Sequence, residues 1–133
     1  MPFPPGCEDE DYCYLTTIGR VSGHPTTIEI WFALTTDTIY LLSGGGDEAH
    51  WVKNLRANQR VQVRISGISR PGRARVISSI DEDARARRLL LGKYRPRALQ
   101  YRTRWGGDVE RWGKAPVVVA VEVDDATPAA HAG

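Results

Sequence analysis

Residues 41–63 read LLSGGGDEAHWVKNLRANQRVQV. A β-rich run ends at Ser43 and three successive glycines, Gly44, Gly45 and Gly46. Asp47 and Glu48 then open a short helix, expected to reach about Ala57, that carries Trp51 and Asn54, and a new strand begins near Arg60. Glycine has no Cβ to hold a neighbour away, so a flat ligand or an anion can approach this backbone closely. The helix behind it offers first-turn N–H groups without intrahelical partners. The same residues equally describe a plain turn leading into a helix cap.

Working outward, residues 59–66 (QRVQVRIS) alternate strictly, with Val61, Val63 and Ile65 on one face. Residues 69–72 (SRPG) read as a turn, after which residues 73–80 pair back. Upstream, residues 12–18 (YCYLTTI) form a first strand by their aromatic and β-branched content, and residues 19–25 (GRVSGHP) a turn. Residues 26–32 alternate as a half-buried strand that turns through Thr35, Thr36 and Asp37 into residues 38–42. Asp81 starts a second helix, with Glu82 and Asp83 in its first turn and Arg85, Arg87 and Arg88 further on, an order that suits the macrodipole. Pro96 is expected to break or kink it. Residues 116–123 (PVVVAVEV) read as a buried strand. The order is three strands, helix, two strands, helix, strand, with connections too short for helical crossovers. It predicts a β-rich α+β fold, a small closed or split β-barrel of about six mostly antiparallel strands, which also hides its sheet edges.

At 133 residues the chain makes one domain with a hydrophobic core. It is expected over residues 12–124, with a frayed tail at 125–133. Residues 1–11 hold three prolines and then Glu8, Asp9, Glu10 and Asp11, and are expected to form a flexible acidic arm. A composition of 41% apolar and 26% charged residues is that of an ordinary globular protein, and a net charge of +2 is too small to imply a nucleic-acid binder. No run approaches the roughly 18 apolar residues of a membrane span, and the start lacks the basic and apolar regions of a signal peptide. The cytoplasm is the expected location. Cys7 and Cys13 match neither a redox pair nor a zinc site, and His24, His50 and His131 show no ligand spacing, so no metal is expected. Residues 84–114 carry ten Lys/Arg against two acids. That imbalance describes a solvated basic face, or a surface that steers a polyanionic ligand or takes a partner's acidic arm. Its sparse aromatics rank nucleic acid last.

Three spaced blocks carry a family resemblance. They are YLTTIGRVSGHP at residues 14–25, YLLSGGG at residues 40–46 and HWVKNLRANQRVQV at residues 50–63. Together they resemble the deazaflavin-dependent nitroreductase and quinone reductase family, split-barrel proteins (FMN-binding split-barrel-like) that use reduced coenzyme F420. Val21, Thr26 and Thr27 stand where the family often has basic residues, and Gln59 where it usually has proline.

The resemblance implies hydride transfer from the reduced deazaflavin to a conjugated acceptor such as a quinone, nitroaromatic or enone. Two alternatives keep the barrel: FMN as cofactor, or a non-catalytic module that binds a cofactor or ligand. For a flat ring with a polyanionic tail, Trp51 becomes a candidate wall. Asn54, three residues on along one helical face, would fix a ring edge or an adjacent loop. Ser43 and Gly44–Gly46 would give N–H donors to the ring. The anionic tail is assigned to Arg20, Ser22 and Gly23, with Lys53 and Arg56 as further cations. A proton for the product would come from water, Tyr94 or Tyr101. Those two tyrosines, with Trp105 and Trp112, either line an apolar substrate pocket or pack the second helix and its loop. A homodimer is the expected assembly.

Overall fold

A computed structural model of the chain describes residues 2–100 and 109–124. The strands are β1 (Cys13–Ile18), β2 (Pro25–Ile30), β3 (Ala33–Leu34), β4 (Thr38–Ser43), β5 (Arg60–Ile65), β6 (Ile68–Val76) and β7 (Val117–Val123). The helices are α1 (His50–Ala57), α2 (Ile80–Gln100) and α3 (Val109–Trp112). All seven strands belong to one antiparallel sheet in the order β2-β1-β5-β6-β7-β4-β3. β2 and β3 lie at opposite ends of that order, yet only Trp31 and Phe32 separate them in the chain. Two extended residues span about 7 Å, so the sheet has to curl until its two ends meet. The result is the half-barrel of a split-barrel fold.

The concave face holds one core. Leu15, Val61, Val63, Ile65, Val119 and Val121 point inward from alternate strand positions, and Phe32 closes the cluster at the seam. α2 covers the convex face of β3, β4 and β7, and there Ala86, Leu90 and Tyr94, four residues apart, meet Tyr40, Leu42, Val118 and Ala120. β7 is therefore enclosed on both faces, which is why its sequence is a continuous apolar run rather than an alternating one.

In the strands, the second helix and the start of the chain, the structure departs from the sequence reading. A seventh strand exists because Trp31 and Phe32 leave β2 before the chain pairs again as β3. Residues 69–72 are strand, and the turn falls at Ser66 and Gly67, both at positive φ. Pro71 is tolerated there because its carbonyl, which accepts from Asp124 N–H, shows that its nitrogen also faces the β7 side, where the last pair is Gly72 with Val123. α2 is not broken at Pro96 and continues past it. The carbonyl it deprives of a partner is that of Gly92, and both residues are solvent-exposed. Finally, the start of the chain is docked rather than loose. Phe3 and Cys7 are buried in the concave core at 2% and 4% exposure, and the Arg70 guanidinium donates to the Pro2 carbonyl at 2.8 Å.

A candidate cofactor site on the glycine loop and the first helix

β1 ends in a closed turn. Gly19 N–H donates to the His24 carbonyl at 2.8 Å, Gly23 N–H donates to the Gly19 carbonyl at 2.8 Å, and Ser22 Oγ accepts from His24 N–H at 3.1 Å. Gly19 suits this turn, since a Cβ there would lie 2.6 Å from Ser22 Oγ and 3.2 Å from the His24 carbonyl and would displace the serine hydroxyl. Gly23 sits at φ +74°, in the left-handed region.

This turn is bolted to α1 by Asn54. The Asn54 Oδ1 accepts from Arg20 N–H at 3.2 Å and from Arg20 Nη1 at 2.8 Å, while Asn54 Nδ2 donates to Thr17 Oγ1 at 3.1 Å. Asn54 and Thr17 are 4% and 1% exposed, so each needs the other as a partner. Arg20 Nη2 also reaches His50 Nδ1 at 3.2 Å, and an arginine only donates, so the imidazole nitrogen accepts. Trp51, on the same face of α1 as Asn54, is half-buried against the concave core.

The glycine loop leads into α1 differently from the sequence expectation. Gly46–Glu48 form a separate 3-10 turn, and the α-helix starts only at His50, so Asp47 is not its cap. Ser43 turns inward and donates from Oγ to the Gly46 carbonyl at 2.9 Å. Gly46 sits at φ +60° with the Pro116 ring 2.9 Å from where a Cβ would be. Gly44 and Gly45 are exposed, a Cβ on Gly44 would meet nothing within 4 Å, and among the described residues their amides donate to no other group. Asp47 and Glu48 pair with Arg56 at 2.6 Å and Lys53 at 3.3 Å, which occupies the two further cations expected to serve a ligand.

Gly44 also forms the rim of a cleft of about 460 Å³, whose other lining residues are Arg111, Trp112, Lys114, Ala115 and Pro116. The far wall is held by α2. Arg87 Nη1 donates to the carbonyls of Gly113 at 2.9 Å and Ala115 at 2.7 Å, and Arg95 grips Glu110 at 2.6 and 2.8 Å. Gly113 packs so tightly on Leu91 that a Cβ would lie 2.5 Å from it. Trp112 stands edge-on to Trp31 and Tyr94 at 4.8 and 5.5 Å between ring centres. The basic run of α2 is thus largely engaged in the fold, since Arg97 pairs with Asp11 and Lys93 donates to the Phe32 carbonyl at 3.0 Å.

The structure joins the Arg20–Gly23 turn to α1 through Asn54 and His50, and α1 in turn follows Ser43 and Gly44–Gly46 through the 3-10 turn. It separates Tyr94 from them. Tyr94 is fully buried and stacked on Trp31 at 4.2 Å, and its hydroxyl donates to the Asp11 carbonyl at 2.7 Å and accepts from Phe32 N–H at 3.0 Å. Burial pushes its pKa upward. A phenol so enclosed is a packing post, and the expectation that it hands a proton to product is withdrawn. Tyr101 and Trp105 lie outside the described residues. Beneath Tyr94, burial lowers the Lys93 ammonium to about 8, Arg97 adding to the effect, and burial raises the Cys13 thiol to about 12. So high a thiol pKa leaves Cys13 an inert core residue. Lys114 and the Arg87 clamp were not singled out by sequence reading. A lysine two residues past a short helix carries no signal of its own until the fold sets it in the same cleft as Gly44.

A curled antiparallel half-barrel with a bare glycine loop at the open end of β4 defines a split-barrel protein. Among solved structures it is similar to an F420-H2 dependent reductase (FDR-A), at 24% identity over 85% of this chain and 95% of that one, with a TM-score of 0.62. It is also similar to a FAD-binding protein from Mesorhizobium loti, at 15% identity over 90% and 85% of the two chains and a TM-score of 0.61. A third structure, a domain-swapped dimer, matches at 22% identity over 86% and 81%, with a TM-score of 0.64. At these identities the likeness establishes the fold. No curated protein matches the chain. The family model for F420H(2)-dependent quinone reductase matches residues 7–122, and the chain belongs to that family. It is an F420-dependent reductase, an oxidoreductase.

Whether the residues present suit a deazaflavin can be judged from the loop itself. Among the described residues two adjacent amides lack protein acceptors and nothing lies within 4 Å of a Cβ on Gly44, and an exposed guanidinium, that of Arg20, is fixed to α1. Those are the donors and the open surface that a planar ring with carbonyl edges and an anionic appendage requires, and they fit.

Proposed function

We propose that the chain reduces quinones and related electron-poor conjugated compounds, nitroaromatics and enones among them, with reduced coenzyme F420 as the donor. The observation that carries this reading is the pair of amides at Gly44 and Gly45 that donate to no group among the described residues, exposed beside a cleft large enough for a bicyclic ring. Bound there, the coenzyme supplies the hydride. The protein's part is orientation and exclusion of water. The amides of Gly44 and Gly45 hold ring carbonyls, and the exposed part of Trp51 flanks the ring. Asn54 acts at one remove, by fixing Arg20 and the 19–24 turn in place. Arg20, with Ser22 and Gly23, faces the anionic portion of the coenzyme. The proton that completes the product comes from water, or from Tyr101.

The test is an equilibrium titration with oxidised coenzyme F420 and, separately, FMN, followed by turnover of 2-methyl-1,4-naphthoquinone with the reduced coenzyme. Saturable binding of the deazaflavin with quinone-dependent oxidation is expected. Saturation by FMN alone would transfer the site to a flavin. Binding without turnover would make the chain a carrier. A homodimer is proposed as the working assembly, in line with the domain-swapped dimer among its structural relatives. Light scattering that gives the mass of one 14.8 kDa chain would exclude it.

A further inference from the structure

The cleft beyond Gly44 has a chemistry that the coenzyme's ring does not use. Among the described residues its lining has the cations Arg111 and Lys114 and no acid, with Trp112 as an aromatic wall and the apolar surfaces of Ala115 and Pro116. The segment that presents them is pre-organised. Arg87 fixes the carbonyls on either side of Lys114, Arg95 fixes α3 through Glu110, and Gly113 is locked against Leu91. Lys114 itself is exposed, and among the described residues its ammonium makes no hydrogen bond or ion pair. α2 therefore holds rigid a loop whose own charged side chain makes no bond among the described residues and acts on them only through space, by helping Arg95 lower the Glu110 pKa. Rigid support beneath a solvent-facing cation is the arrangement expected of a binding residue, because the ordering cost is met before the ligand arrives. A volume of about 460 Å³ lies in the range of small-molecule sites and fits a substituted bicyclic ring.

We infer that this cleft binds an anionic group carried on a small planar molecule, with Lys114 and Arg111 as its cationic contacts and Trp112 as the wall for its ring. Resting on the functional reading above, the inference gives the site a substrate class: quinones or other conjugated acceptors that bear a carboxylate, sulfonate or phosphate. The same anion chemistry has a second source in the phosphodiester and glutamate tail of the coenzyme, and the experiment separates the two.

Binding is measured by equilibrium dialysis for the wild-type chain and for Lys114→Gln, Lys114→Glu and Lys114→Arg. The ligands are 1,4-naphthoquinone-2-sulfonate, uncharged 2-methyl-1,4-naphthoquinone, coenzyme F420 and its uncharged, tail-less deazariboflavin. If the acceptor supplies the anion, Lys114→Gln weakens the sulfonate about threefold and Lys114→Glu about tenfold, and Lys114→Arg restores it. The uncharged quinone moves less than about twofold, and 0.5 M salt erases the differences. If the tail supplies it, the same pattern appears between the coenzyme and deazariboflavin. Circular dichroism controls for folding, which an exposed side chain does not govern. Equal affinities across all four variants for both charged ligands would overturn the inference. A wild-type chain that binds neither deazaflavin would refute the functional reading, and the sulfonate series would then decide the inference alone.

Discussion

Replacing Asn54 by alanine separates a residue that supports the site from one that touches a ligand. The substitution removes the acceptor for Arg20 N–H and Nη1 and the donor to Thr17 Oγ1. Thr17 is 1% exposed, so its hydroxyl cannot turn to water and loses its partner, at a cost of about 1–2 kcal/mol. The Arg20 amide, only part-buried, adds about 1 kcal/mol. The Arg20 guanidinium lies in solvent and adds little. The sum is about 2–3 kcal/mol in the absence of any ligand, or a fall of about 8–12 °C in Tm at about 4 °C per kcal/mol. Asn54→Asp keeps an oxygen in place for both Arg20 donors and sets a second where Nδ2 stood, to which the Thr17 hydroxyl can turn and donate, so it stays within about 1 kcal/mol of wild type. Thermal unfolding of the ligand-free proteins by circular dichroism provides the measurement. An alanine variant that melts within about 2 °C of wild type would refute the reasoning, because Asn54 would then be idle until a ligand arrives.

Gly46→Ala combines a left-handed φ of +60° with a Cβ 2.9 Å from the Pro116 ring, and should cost about 2–3 kcal/mol by urea unfolding. Gly23→Ala, at φ +74° with open space around it, should cost only about 1 kcal/mol, and equal losses at the two positions would count against the Pro116 contact. Phe3→Ala should lose about 3 kcal/mol and expose the first residues to protease, whereas an undocked arm would show neither effect. Lys93 has a folded pKa of about 8 against an ordinary 10.5, so the unfolded chain binds more protons between those values and wild-type stability gains as pH rises through them. Lys93→Met, free of that term, should be the more stable protein below pH 8, with its advantage narrowing by about 2 kcal/mol toward pH 10.5. Parallel stability profiles for the two proteins would show that burial does not burden the ammonium.

Much of the barrel is legible because strand alternation is a local signal. Val61, Val63 and Ile65 announce one buried face, and the apolar run at 117–123 announces two. The misreadings fall where distant parts of the chain decide. Ser69–Gly72 has turn chemistry, but the partners of Pro71 lie in β5 and just past β7, and both run along its strand. The acidic composition of the start hides Phe3, whose burial depends on space left inside the curl. At the site, the glycine triplet and the Trp51–Asn54 face read from spacing as a turn and a helix cap, and it is the family resemblance that marks them out. The Arg20–Asn54 bond spans 34 residues, and the Arg87 grip on Ala115 spans 28. Tyr94 looks reactive in a one-dimensional reading because an aromatic hydroxyl carries no mark of its surroundings.

The two-residue bridge of Trp31 and Phe32 also bears on how the chain avoids its neighbours in a crowded solution. A sheet with loose margins can recruit a foreign strand on either side. Here each margin is tethered to the other at once, and one of them, Ala33–Leu34, is too short to template a new ladder. Curvature is thus written into covalent connectivity as well as into packing. A chain that keeps every core side chain but lengthens this tether would keep its interior and lose its protection against strand-to-strand pairing at those margins.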